Sequence, residues 1–186
     1  MDVTKLLEAD HRVVEELFAR IERAEGADRQ PMIDELVTSL RAHMELEEQT
    51  VYPSMQPVTG EESVQEANTE HELARSAIDE MVRLARDEPG FGAALDAAKA
   101  GIAHHVDEEE HEVFPMLRSD GGSVLEETAT AFMSKRVELG LPMPPEALVA
   151  ASTKDELLAE AKSAGINGAA SMSKDDLAAA LADQMA

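Results

Sequence analysis

His104-His105-Val106-Asp107-Glu108-Glu109-Glu110-His111-Glu112-Val113-Phe114-Pro115 is the stretch whose reading decides the fold of this chain. An earlier copy runs His43-Met44-Glu45-Leu46-Glu47-Glu48-Gln49-Thr50-Val51-Tyr52-Pro53. Setting His43 on His105 also sets Glu47 on Glu109, Glu48 on Glu110, Tyr52 on Phe114 and Pro53 on Pro115, all at an offset of 62 residues without a gap. Each copy closes a helical apolar pattern. Residues four apart share a helix face, so each His and the Glu one turn later point the same way. Each such pair reads as half of a two-metal site.

Outward from the first copy, its helix opens at Pro31 and carries Ile33, Leu36, Leu40, His43, Glu47 and Val51 on one stripe. Pro53 and Pro57 are expected to stop it. A helix from about Val3 to Glu25 precedes it, with Asp2 as N-cap and Gly26 as its stop. There Leu7, His11, Val14, Phe18 and Ile21 share a face. A third helix is expected over Glu61 to Asp87, with Val64, Ala67, His71, Ala74, Ile78 and Ala85 aligned and Pro89-Gly90 beyond it. The fourth runs from about Phe91 to Val113 through Leu95, Ala98, Ile102, His105 and Glu109. His11 and His71 lie 60 residues apart, close to the 62 of the second pair. The pattern predicts a duplicated helical hairpin, closed into an all-α, up-down-up-down four-helix bundle.

Composition agrees. The 186 residues are 44% hydrophobic and 3% aromatic, so the core is aliphatic and the chain helical. The length suits one domain with a small appendage. A net charge of −23 repels nucleic acid and anionic lipid and attracts cations. The absence of cysteine excludes disulfides, thiolate catalysis and Cys-based zinc or iron–sulfur sites. No secretory signal opens the sequence and no apolar run approaches membrane-spanning length, so a cytoplasmic location is expected.

Six ionisable residues therefore sit on otherwise apolar stripes: His11, His43, Glu47, His71, His105 and Glu109. Burying them without compensation costs several kcal/mol. Imidazole and carboxylate without thiolate suit iron or manganese, and also zinc. Glu47 and Glu109 are each able to bridge two cations, with a solvent-derived oxo or hydroxo bridge completing the pair. Glu48 and Glu110 lie one step off the ligand face and read as supports. Tyr52, paired with Phe114, reads first as core; Tyr52 and Arg75 are also candidate supports beside the ligands. His104, Glu108 and His111 form a rival trio on a neighbouring face. Their first-copy equivalents are Ala42, Leu46 and Gln49, so they read as solvated surface.

This pattern, His11, His43-x-x-x-Glu47, His71, His105-x-x-x-Glu109, resembles the hemerythrin-like family of His-His-Glu cation-binding domains over roughly residues 1–118. The resemblance implies a non-haem di-iron centre, iron ahead of manganese or zinc, in a four-helix bundle. Oxygen-carrying members have a further histidine one turn after the first on the third helix, where this chain has Arg75. They also have His-x-x-x-x-Asp on the fourth helix. These departures imply two more open irons. They favour a redox protein acting on peroxide or oxygen, in catalase-like turnover or redox homeostasis, over oxygen carriage. The alternative is a sensor or binding protein for oxygen, nitric oxide or iron, signalling through its C-terminal unit to a protein partner.

Beyond Pro115, a loop at Ser119 to Gly122 leads to an additional helix within residues 119–140, Ser123 to Leu139. A linker over 141–150 follows, and then a small unit over 151–186. Thr153-Lys154-Asp155-Glu156 is a capping box, and Ser173 caps a second helix. This tail resembles the helix–extended loop–helix module at the N-terminus of transcription terminator Rho. Its loop, Asn167 to Ser171, carries no charge.

Overall fold

The computed structural model describes residues 1–25, 28–84, 89–141, 143 and 145–185, and every regular element among them is helical. The expected stop at Gly26, the stripe position Ala85 and the helix end at Asp87 lie outside the described residues. The chain divides into two compact units, Asp10–Gly121 and Met1–Ala9 with Gly122–Ala186.

The larger unit is built from four long helices. These are α1 (Val3–Arg23, from Asp10 onward), α2 (Arg29–Leu46), α4 (Glu61–Arg83) and α5 (Phe91–Glu108). Two short helices, α3 (Tyr52–Thr59) and α6 (Phe114–Asp120), extend α2 and α5. Toward the Arg23 end of α1, Phe18, Ile21, Ile33, Leu36, Ile78, Met81, Phe91 and Leu95 form one aliphatic core. Each fully buried side chain of this kind contributes about 1.5–3 kcal/mol. The histidine layer lies next along the bundle. Beyond it Tyr52, Met55, Phe114 and Leu117 are buried, and α3 packs on α6.

One expectation is corrected. Pro53 and Pro57 do not stop the helix. After Leu46 the chain makes one π-turn, Glu47–Val51, in which the Tyr52 N–H donates to the Glu47 carbonyl five residues back. The second copy repeats this at Glu109–Val113, with Phe114 donating to Glu109. The widened turn places Pro53 and Pro115 in the first turn of α3 and α6, where a missing N–H costs nothing. Pro57 is carried inside α3, which ends at Gly60 in the left-handed region at φ 92°. Each π-turn starts on the glutamate that the repeat aligned. The extra residue turns Tyr52 and Phe114 inward, 2% and 0% exposed.

In the smaller unit, α7 (Val124–Glu138) ends before Gly140 at φ 65°. Phe132 is buried there, while Leu125 and Met133 are half-buried. Residues 145–150, read as linker, instead lie in α8 (Pro145–Ala151), which buries Ala147, Leu148 and Ala151. The Asp2 N–H donates to the Ala151 carbonyl at 2.7 Å, which ties the first residues to this unit. The capping box is present at the start of α9 (Lys154–Ser163). Ser173 caps α10 (Lys174–Met185) by accepting from the Asp176 N–H at 3.1 Å. Between them lies one 3-10 turn, Ala169–Ser171.

Candidate metal centre

All six stripe residues converge in the Asp10–Gly121 unit, and each is between 0% and 5% exposed. His11 lies on α1, His43 on α2, His71 on α4 and His105 on α5. Glu47 and Glu109 open the two π-turns. They fall into two groups with ligand atoms close enough for one ion each: His11, His43, Glu47 and Glu109, and then Glu47, His71 and His105. Glu47 Oε2 is 3.3 Å from His43 Nε2, 3.2 Å from His71 Nε2 and 3.8 Å from His105 Nε2. Glu109 Oε2 is 3.4 Å from His11 Nε2, and its Oε1 is 3.7 Å from His105 Nε2. Glu47 thus belongs to both groups. Glu109 belongs to the first and borders the second.

The opposite side of three of the rings is held by a carboxylate. The His11 Nδ1–H donates to Glu110 at 2.8 Å, His71 to Glu48 at 2.8 Å and His105 to Glu70 at 2.9 Å. His43 Nδ1 faces Asp10 at 3.7 Å. In the neutral rings of His11, His71 and His105 this selects the tautomer whose Nε2 lone pair faces inward. Arg75 donates to Glu48 at 2.7 Å, and Arg12 pairs with Glu110. The supports cross between hairpins: Glu48 of the first holds His71 of the second, and Glu110 of the second holds His11 of the first. Sequence reading found Glu48, Glu110 and Arg75 but missed Asp10, Glu70 and Arg12. The signal for two of them was present, because Asp10-His11 and Glu70-His71 repeat at the same 60-residue offset.

The two halves differ at the aromatic residue beside the ligands. The Tyr52 hydroxyl lies 2.9 Å from His71 Nε2, whereas Phe114 stacks on His11 with centroids 6.0 Å apart. Tyr52 is therefore beside the polar set as well as in the core. His104 and His111 are 65% and 72% exposed, as a solvated face requires.

A family description, the hemerythrin HHE cation-binding domain, matches residues 2–117. The chain belongs to this family. A solved structure of an HHE cation-binding domain-containing protein from Mycobacterium kansasii shares 24% identity and superposes with a TM-score of 0.64, over 73% of this chain and 85% of that one. At that identity the likeness speaks for the fold. A curated relative from Nostoc, named a DNA nickase, is 23% identical over 141 residues. The match covers 75% of this chain and 40% of that protein, so the chain spans well under half of the relative's length.

In this HHE domain the neighbours of the buried carboxylates settle protonation when no cation is bound. Burial pulls His11 down, but Glu109 and Glu110 outweigh it and raise it to about 9. Burial also pulls on His105, and Glu109, Glu47 and Glu70 raise it to about 11. Burial pushes Glu47 up, yet His43, His105 and His71 hold it well below the usual carboxylate range. Burial, with Glu47 and Glu109, keeps the Tyr52 phenol neutral well above its ordinary value. A raised imidazole stabilises the fold fully below its ordinary 6.5 and loses that contribution as pH climbs toward about 9 for His11 and about 11 for His105. The metal-free domain is accordingly expected to melt at steadily lower temperature from pH 6.5 to 9. A thermal scan series that is flat or rising across that window contradicts this account.

Proposed function

We propose that His11, His43, Glu47, His71, His105 and Glu109 hold two iron ions, and that the protein reacts with peroxide or oxygen in a catalase-like or redox-homeostasis role. The observation that carries this reading is a set of buried polar atoms without hydrogen-bond partners. They are His11 Nε2, His43 Nε2, and both oxygens of Glu47 and of Glu109. Buried polar groups are almost always satisfied. Here the orphaned atoms face one another around a common interior, and two cations would satisfy them together. The donor set, with imidazole and carboxylate only, fits iron.

Bound iron would supply the redox couple that peroxide or oxygen chemistry needs. The chain's own residues do the rest. Glu110, Glu48 and Glu70 orient three rings through Nδ1 and strengthen the donor power of Nε2. Arg12 and Arg75 anchor two of those carboxylates. Glu47 ties the two groups together. Phe114, Leu117 and Met55 exclude water from one side. Tyr52 keeps a neutral O–H, able to hold a proton beside the second group.

Support by Glu110 predicts a second effect. Glu110→Gln is expected to weaken metal affinity about 10–100-fold, as loss of such partners typically does. Competition against a chelator of known affinity measures this, and an unchanged affinity refutes the supporting role. For activity, iron-loaded protein is expected to evolve oxygen from peroxide, and His105→Ala to abolish it. Oxygen evolution that persists in His105→Ala without bound iron would overturn the reaction proposed.

Nickase activity does not carry over from the Nostoc relative. The match covers under half of that protein, and a net charge of −23 opposes approach to a phosphate backbone.

A further inference from the structure

A narrow cavity of about 70 Å³ opens between α4 and α5, within the Asp10–Gly121 unit. Glu66, Glu70, Glu108 and Glu112 line its sides, and His105 and Glu109 are reached through it. Glu70 spans the distance from inside to outside. Its Oε2 accepts from His105 Nδ1 at 2.9 Å, while its Oε1 lies 3.5 Å from the exposed His104 Nε2. Glu108 Oε1 completes a trio at 3.3 Å from the same nitrogen. One imidazole and two carboxylates in this arrangement match the donors of a divalent cation site. At the inner end Glu109 is 2% exposed, and neither of its oxygens has a hydrogen-bond partner.

The internal repeat supplies a control. The first-hairpin equivalents of Glu66, His104, Glu108 and Glu112 are Leu6, Ala42, Leu46 and Thr50. Leu6, Leu46 and Thr50 are buried, and none of the four can bear charge. Only Glu70 keeps an acidic counterpart, Asp10. Where the first hairpin covers these positions its residues are uncharged, whereas in the second hairpin they are exposed or half-buried and ionisable. The polar substitutions are confined to the hairpin face that leads to Glu109.

We propose that Glu70, His104 and Glu108 are the landing site of an acidic entrance through which divalent metal reaches the buried His/Glu set. The inference rests on the dimetal reading above. A negative mouth with low-dielectric walls concentrates cations and speeds their capture. The exposed His104 allows an arriving ion to keep part of its water shell and leave again. From Glu70 the ion passes inward along the cavity, on which the unpartnered Glu109 carboxylate opens.

The test is the rate at which the metal-free full chain takes up cobalt(II), followed optically at low ionic strength. His104→Ala/Glu108→Gln is expected to fill about ten-fold more slowly than the unaltered chain and to reach the same two ions. Glu127→Gln, an exposed single-charge change in the other unit, is expected to fill at the unaltered rate. Added salt is expected to slow the unaltered chain and close the gap to the double variant. Equal rates for the double variant and the unaltered chain, or equal slowing by Glu127→Gln, overturn the entrance. Failure of the unaltered chain to take up cobalt at all sinks the dimetal reading, and the entrance with it.

Discussion

Glu47→Ala is expected to remove both metal ions from the centre at once. Glu47 is the residue shared by the two ligand groups, and one of its oxygens lies within 3.8 Å of an imidazole nitrogen in each. His11→Ala and His71→Ala touch one group each and are expected to leave one ion. Elemental analysis of loaded, desalted protein reads the difference directly. The expected counts are near two for the unaltered chain, near one for either histidine variant and near zero for Glu47→Ala. Two ions retained by Glu47→Ala contradicts its bridging place. A carboxylate that is 0% exposed, with both oxygens unpartnered, is a poor structural element unless a cation meets it.

Metal removal is the second large effect. An ion held at 1,000 times its Kd stabilises the folded state by about 4 kcal/mol. For a chain of this length each kcal/mol moves the melting temperature by about 2–4 °C. Stripping two such ions is therefore expected to lower it by roughly 15 °C or more. Scanning calorimetry at neutral pH, with and without chelator, measures the shift. A melting temperature unaffected by chelator points to a purely structural bundle whose histidines are satisfied by protons and carboxylates alone.

The parts of this site that were legible in the sequence are those fixed by helix periodicity. A residue's face is set by its spacing, so His43 and Glu47, or His105 and Glu109, had to point together once the helices formed. The 60- and 62-residue offsets then matched the hairpins without any knowledge of their packing. The π-turns were not legible. α-Periodicity and the proline rule both argued for a stop near Pro53, and nothing local announces a bond five residues long. What makes the turn tolerable is tertiary: it buries Tyr52 and Phe114 while leaving Glu47 and Glu109 aimed inward. The supports Asp10 and Glu70 were missed for a related reason. They act across helices, on His43 and His105, and their own stripes give no hint of that. Only the repeated acid-before-histidine dipeptide exposed them, and that signal is two residues long. In the smaller unit the capping box at Thr153 and the cap at Ser173 were readable because caps are local chemistry. Helix α8 was not, because the proline-rich approach at Pro142, Pro144 and Pro145 looks like linker, and a proline in the first turn of a helix looks the same.

The central claim is that two cations occupy the interior where four imidazoles and two carboxylates meet. Anomalous diffraction from crystals of the iron-loaded protein addresses it most directly. The account predicts two iron peaks, one among His11, His43, Glu47 and Glu109, the other among Glu47, His71 and His105. Crystals that show iron only at the exposed Glu70, His104 and Glu108 trio, or none in the interior, would contradict it.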